Sequence, residues 1–404
     1  MKKLTPKNLA MLGFLVYFAS YVTRYNYKTI IAEIVTAEGI LNSAASMPVM
    51  FSFLSYGIGQ LISGYIGDRV PPQKLIFMGL LSSSVLNILM TSGFGITVMS
   101  VFWTLNGLAQ SFIWPPLIKI LSGSMNREDY NKSIVIVNAA GSIGTVFIHL
   151  AAPLLILWKG WKAVFIFSAV VGIISIVLFS LFTRKAEIKT VPEVSDKEEN
   201  DRNKQTKLFP VVLASGLIFI CITIIFQGLL RDGIDSWTPT YLNEIFGLPT
   251  TSSIFVSTIV PLFGILSLKV TSEINRRFVK NELTLSIILF TISCVSTGLT
   301  VLIPSMPVAV LLLSLATGCM HGVNLMLVCQ IPGRFAKYGK ASLVSGSMNF
   351  FTYVGSALSM WGLAKISEVF GWNITFFTCS GIAIIGIILC LIAHKKWEAF
   401  SAEN

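Results

Sequence analysis

Two arginines interrupt sequence that is otherwise apolar over long runs: Arg24, in a stretch from Asn8 to Val35, and Arg231, in one from Phe209 to Asn243. Carrying such a charge into hydrocarbon costs roughly 2.5–3.5 kcal/mol on insertion scales, so each marks a binding site or an ion pair. The guanidinium fork meets phosphate or carboxylate edge-on through two parallel N–H donors, and a pair of forks suits a dianion. Lys28 follows Arg24 by four residues and extends the same helical face, or snorkels toward the lipid surface. Tyr25 and Asn26 add hydroxyl and amide groups that would orient a polyhydroxy or ester portion. The competing use of Arg231 is a local ion pair, since Asp235 lies one helical turn on and Asp232 is adjacent.

Acids are otherwise scarce in the apolar runs. Glu33, Asp232 and Asp235 are expected toward outer ends of spans, with no carboxylate at a span centre. Proton-driven carriers commonly use a buried carboxylate or histidine relay, so only His149 and His321 stand out as titratable candidates, and proton coupling is not favoured.

The elements that must position these residues follow from composition. The chain has 404 residues, 54% of them hydrophobic and 12% charged, with mean hydropathy +0.76. Soluble domains carry about 25% charged residues, so folding in water would expose extended apolar surface. A cytosolic enzyme, a disordered chain, a secreted disulfide scaffold and a nucleic-acid-binding domain are excluded. The net charge of +11 is instead a matter of topology. Lys and Arg gather at both ends and in alternate loops, which makes that side cytoplasmic. The six cysteines form no CxxC pair and read as packing residues. No phosphate-loop sequence and no zinc-spaced cluster occurs, so neither cofactor nor metal is expected, nor an enzyme.

Twelve spans are expected, at 8–35, 44–66, 75–92, 96–121, 134–157, 163–182, 209–243, 252–270, 283–303, 308–331, 343–363 and 374–393, the seventh interrupted near Gly233. The first resembles a signal peptide only briefly and is read as retained. Residues 184–207 form a mixed-charge cytoplasmic linker between bundles at 1–183 and 208–404. The halves repeat. A shift of 207 carries Arg24 onto Arg231 and Asp68-Arg69 onto Asn275-Arg276, in loops after the second and eighth spans. A shift of 211 carries Gly107 onto Gly318 and Gly160-Trp161 onto Gly371-Trp372. Parallel repeats of six helices, with a solute site between them at mid-membrane, are the architecture expected.

Four stretches then carry a resemblance: YVTRYN (Tyr21 to Asn26), SGYIGDRVPPQK (Ser63 to Lys74), IWPP (Ile113 to Pro116) and LLRDGIDSWTPTYL (Leu229 to Leu242). They look like the organophosphate:phosphate antiporters of the major facilitator superfamily, which include bacterial glycerol-3-phosphate and hexose-phosphate transporters. The resemblance implies an all-α integral membrane fold of twelve helices in two pseudo-symmetric bundles. It implies that Arg24 and Arg231 hold a substrate phosphate, and that a phosphate ester is exchanged for inorganic phosphate by rocking of the bundles. In the glycerol-phosphate branch a lysine follows the first arginine where this chain has Tyr25, a second-span lysine becomes Gln60, and a fifth-span histidine aligns with Gly141, with His149 two turns later. Each change makes the cavity less positive.

The expectation is therefore an inner-membrane antiporter of an anionic solute and inorganic phosphate, embedded in lipid, monomeric, with both termini cytoplasmic. Arg24 and Arg231 clamp the phosphoryl group; Lys28, Tyr25, Asn26, Gln60 and His149 serve the remainder; Asp232 and Asp235 modulate charge; Asp68, Arg69 and Arg276 belong to conformational loops. The alternatives are a proton- or sodium-coupled symporter of a sugar acid and a membrane sensor of external sugar phosphate.

Overall fold

The computed structural model describes residues 5–67, 70–183, 215–335 and 341–402, and among these the regular structure is helical throughout. The expected linker 184–207 and the loop residues Asp68 and Arg69 lie outside the described residues. The chain divides into two compact units, one of Met1–Ile40, Ala44–Glu193 and Pro249–Phe255, the other of Leu41–Ser43, Val194–Leu248 and Val256–Asn404.

In the first half, α1 (Pro6–Thr29) starts with proline in its first turn and with Thr5 Oγ1 accepting from the Asn8 N–H at 3.3 Å, a proline start and a side-chain cap. It breaks at Ile30, and α2 (Ile31–Glu38) continues to Gly39, whose φ of +62° only glycine adopts without cost. Then come α3 (Asn42–Gly67), α4 (Pro72–Leu89), α5 (Ile96–Ser111), α6 (Trp114–Ser124), α7 (Arg127–Lys159) and α8 (Lys162–Thr183). The expected fourth span is thus two helices. Pro115 and Pro116 remove two N–H donors and disfavour helix before them, so the chain re-starts at Trp114.

In the second half, α9 (Leu217–Phe246) is one uninterrupted helix ending at Gly247, φ +65°. The expected break at Gly233 is not there. A Cβ at Gly233 would lie 2.8 Å from Ser359 Cβ, so this glycine admits a neighbouring helix instead of ending its own. Helices α10 (Thr250–Ser257), α11 (Ile259–Arg277), α12 (Glu282–Leu302) and α13 (Met306–Asn324) follow, then a π-helical segment (Leu325–Gln330), α14 (Ile331–Arg334) and α15 (Ala341–Ala402). Helix α15 bends at Gly371, where φ is +80°, so one helical stretch holds the expected eleventh and twelfth spans.

Ten helical stretches among the described residues are long and apolar enough to cross a membrane. Helix α1 is not among them, because Arg24, Asn26 and Lys28 dilute its hydropathy. The duplication is visible in the backbone. Gly160 and Gly371 have (φ, ψ) of (73°, 179°) and (80°, 171°), and the tryptophan after each donates to a carboxylate. Trp161 Nε1 reaches Glu38 at 3.2 Å in the first unit, and Trp372 Nε1 reaches Glu244 at 2.7 Å in the second. The Gly-Trp pairs therefore pin the end of the first long helix of each half to the start of the last.

Candidate functional site

Helix α1 is buried on every side from Val22 to Thr29, and α9 from Leu230 to Leu242. A helix polar on several faces survives in a membrane only where other helices surround it. That is why Arg24, 4% exposed in the last third of α1, and Arg231, 9% exposed at the middle of α9, are tolerated.

In the first unit Arg24 sits among tyrosine rings. Its guanidinium carbon is 4.1 Å from the ring centroid of Tyr56 on α3, 5.0 Å from Tyr21 and 5.1 Å from Tyr25. Lys28 Nζ stands 4.2 Å from the Tyr25 centroid, so one ring serves two cations. Each such face is worth about 0.5–2 kcal/mol, more as water is excluded. Tyr17, Tyr21 and Tyr25 recur at helical spacing, with successive centroids 5.1 and 4.8 Å apart, and form a ladder along this face of α1. Room for the ladder comes from α7. A Cβ at Gly141 would lie 2.8 Å from Tyr21 Cε2, and one at Gly144 3.0 Å from the Phe18 carbonyl oxygen. Gly141 is thus bare of side chain because a tyrosine ring packs there. Gln60 lies one turn from Tyr56 on α3, half-buried.

His149 is drawn into this unit differently. Its Nδ1 is 2.9 Å from the Thr145 carbonyl oxygen and 3.4 Å from Thr29 Oγ1, one residue beyond Lys28. A proton on Nδ1 satisfies the carbonyl and leaves Nε2 as the acceptor. Asn26, expected among the ligand groups, lies on the opposite side of α1. Its Nδ2 donates to Asn87 Oδ1 at 2.6 Å, and Asn87 donates in turn to the carbonyls of Thr23 and Ser83 at 2.9 Å each. Gln110 Nε2 donates to Thr23 Oγ1 and Ser83 Oγ at 2.7 Å each and accepts from Ser20 at 2.6 Å. This network ties α1 to α4 and α5, and sequence reasoning missed it. The signal was three amide side chains, Asn87, Asn106 and Gln110, in apolar helices, where an amide must find partners.

In the second unit Arg231 pairs with the adjacent Asp232, one of the two acids the sequence offered it. Arg231 Nη2 is 2.7 Å from Asp232 Oδ2 and Nε is 3.3 Å from Oδ1. The same Oδ2 accepts from Ser356 Oγ on α15. Asp232 lies midway along α9, so the expectation that no carboxylate occupies a span centre is corrected. With the helix continuous through Gly233, the acid is central. The two helices meet through glycines. A Cβ at Gly228 would strike the Thr352 carbonyl, and one at Gly355 the Ile225 carbonyl, so backbones touch and the short Ser356 side chain reaches across. Ser356 was not among the expected site residues. Asp235 is buried one turn along. His321 packs on α11, where a Cβ at Gly264 would lie 2.8 Å from its Cδ2.

Arg276 was expected in a loop. It lies in the last turn of α11, exposed, with Nη2 2.7 Å from Glu273 Oε1. Among the described residues no cluster of His, Cys, Asp and Glu could hold a metal ion.

The sequence profile of the Major Facilitator Superfamily matches residues 13–360. Among curated relatives, the glycerol-3-phosphate transporter of Bacillus subtilis is 24% identical, covering 94% of this chain and 88% of its own length. The membrane sensor protein UhpC of Salmonella typhimurium is 23% identical, over 93% and 88% respectively. A probable hexose phosphate transport protein of Chlamydia trachomatis is 21% identical, over 96% and 90%. Among solved structures, a bacterial homologue of the human lysosomal transporter Spinster, inward-facing and unoccupied, superposes with a TM-score of 0.82 over 99% of both chains at 12% identity, a likeness of fold.

Proposed function

This chain belongs to the Major Facilitator Superfamily and is a multi-pass membrane protein of transporter type, not an enzyme; from that premise we propose that it carries a phosphate ester, of the sugar phosphate or glycerol phosphate class, in exchange for inorganic phosphate. The observation that carries the reading is the pair of buried arginines at repeat-equivalent positions, Arg24 in α1 and Arg231 in α9. The relatives named for glycerol 3-phosphate and hexose phosphate support it across more than nine-tenths of this chain.

The phosphoryl group of a monoester carries about −1.5 to −2 charges at neutral pH, which matches two guanidinium forks. The bundles are 1–183 and 208–404, joined by the linker 184–207. Alternating access moves one bundle against the other around the bound anion, and ligand attraction to both arginines lowers the barrier for the loaded carrier. Lys28, Tyr25 and Gln60 meet the remainder of the ester, and His149 borders Lys28. Asp68, Arg69 and Arg276 belong to the cytoplasmic segments that move. The chain lies in the bacterial inner membrane with both termini cytoplasmic, and functions as a monomer.

Proteoliposomes loaded with phosphate test the clamp. Arg24→Lys and Arg231→Lys keep the charge but lose the fork, so each is expected to insert normally and to cut phosphate exchange about ten- to a hundredfold, the scale of one charged hydrogen bond or two. Unchanged exchange in both variants overturns the reading. A second reading, sensing of an external phosphate ester, draws on the similarity to UhpC. It predicts stabilisation of the purified protein by sugar phosphates with no uptake into vesicles.

A further inference from the structure

We propose that Asp232 is a displaceable counter-ion of Arg231, one that takes a proton from the buffer acid in solution when an anionic ligand occupies the guanidinium. The proposal rests on the reading of Arg231 as a ligand group and adds a coupled ion to it. Asp232 already occupies the Nε–Nη2 edge of the fork, at 3.3 and 2.7 Å. That edge is the one a phosphoryl group takes when it binds bidentately. Ligand and carboxylate therefore compete for the same donors. A buried carboxylate that loses its cation is costly as an anion and is neutralised by protonation.

The surroundings of Asp232 accept both forms. Ser356 Oγ has a single proton and two acceptors within reach, Asp232 Oδ2 and the Thr352 carbonyl oxygen at 2.9 Å. With Asp232 ionised, the hydroxyl donates to Oδ2 and the pair with Arg231 is closed. When the ligand opens that pair, a proton supplied by the buffer acid in the surrounding solution adds to Oδ2, leaving the buffer base behind. The new carboxyl O–H donates to Ser356 Oγ, which rotates to donate to the Thr352 carbonyl. No donor is stranded in either state. The glycine contacts of Gly228 and Gly355 hold α9 and α15 close enough for this relay to be short. Ionisable groups on the packed elements include Tyr353 on α15, Cys319 and His321 on α13 and Cys329 in the π-helical segment, with Asp235 on α9 itself; Lys365 and Glu368 lie further along α15. Cys329 lies within electrostatic reach of Arg231, and His321 packs toward α11.

Calorimetry of the purified protein with inorganic phosphate, in two buffers of different ionisation enthalpy, counts protons taken up per phosphate bound. The wild type is expected to take up about one more proton than Asp232→Asn, because the ionisation of phosphate itself is common to both. His321→Gln is expected to behave as wild type. Equal counts in wild type and Asp232→Asn, or loss of uptake in His321→Gln alone, overturn the proposal. A second measurement needs only the wild type. With fluorophosphate, a dianion that does not titrate near neutrality, binding that requires one proton weakens about tenfold per pH unit as pH rises; pH-independent binding overturns the proposal. Failure of both anions to bind at all would instead remove the phosphate reading, and this inference with it.

Discussion

Arg24 and Arg231 occupy the same place in the two repeats, yet their neighbours solve the problem of a buried charge by different chemistry. The residue after Arg24 is Tyr25; 207 positions on, the residue after Arg231 is Asp232. On the partner helix, Thr145 of α7 corresponds, at a shift of 211, to Ser356 of α15, and Gly144 to Gly355. Where the first half sets the Tyr21 ring against Gly141, the second sets Gly228 against the Thr352 backbone. One crossing was thus duplicated with its bulk moved from one helix to the other. In the first half the ring ladder pads Arg24 and Lys28 with quadrupoles, which attract a cation without carrying charge. In the second half backbones close up and a carboxylate neutralises the arginine. A ring need not leave when an anion arrives, whereas a carboxylate on the same donors must. The asymmetry separates a standing cationic surface from a charge that is switched.

The comparison breaks most completely at the glycine contact. Gly355→Leu would drive a side chain into the Ile225 carbonyl, and backbone collisions of this kind cost more than the about 1–3 kcal/mol of ordinary overpacking. The expected result is loss of the monodisperse peak in size-exclusion chromatography; a protein that keeps both its peak and its melting temperature would show that α9 and α15 do not touch here. Next in size is the polar face of α1. Asn26→Leu strands Asn87 and is expected to cost about 1–3 kcal/mol of stability. Because Asn26 faces away from Arg24, the affinity for phosphate measured by calorimetry should stay within twofold, on the order of RT. A large affinity loss with unchanged melting would return Asn26 to the ligand set. The smallest effect sharpens the account of the rings. Tyr56→Leu removes the ring nearest Arg24 and is expected to change anion affinity by about 0.5–2 kcal/mol, whereas Tyr56→Phe keeps the π face and is expected to change it little. Equal effects of the two would assign the role to the hydroxyl.

Hydropathy made the membrane and the helical fold legible, and residues recurring at fixed offsets made the repeat legible, because each is written in a signal that is local or strictly periodic. The arginines were legible for the same reason, since a charge in a 20-residue apolar run stands out against about 2.5–3.5 kcal/mol of insertion cost. The Gly160 and Gly371 pair was legible as a repeat but not as a positive-φ turn, and Glu38 and Glu244 as its anchors were not legible at all. One misreading concerned Gly233, which was treated as a break although the helix runs on through it. A glycine in a membrane helix has two uses, ending the helix or admitting a neighbour, and sequence cannot choose between them without the neighbour.

What the sequence determined alone is therefore the class of molecule and the two fixed charges, since composition and spacing do not depend on which helix packs on which. What only the tertiary structure decided is the company those charges keep. Tyr56 under Arg24, Asn87 on Asn26 and Ser356 on Asp232 are 32, 61 and 124 residues apart in the chain. Such pairs form where helices cross. At the α9–α15 crossing the meeting point is set by glycine surfaces against backbone, and that complementarity exists only between elements, not along either one of them.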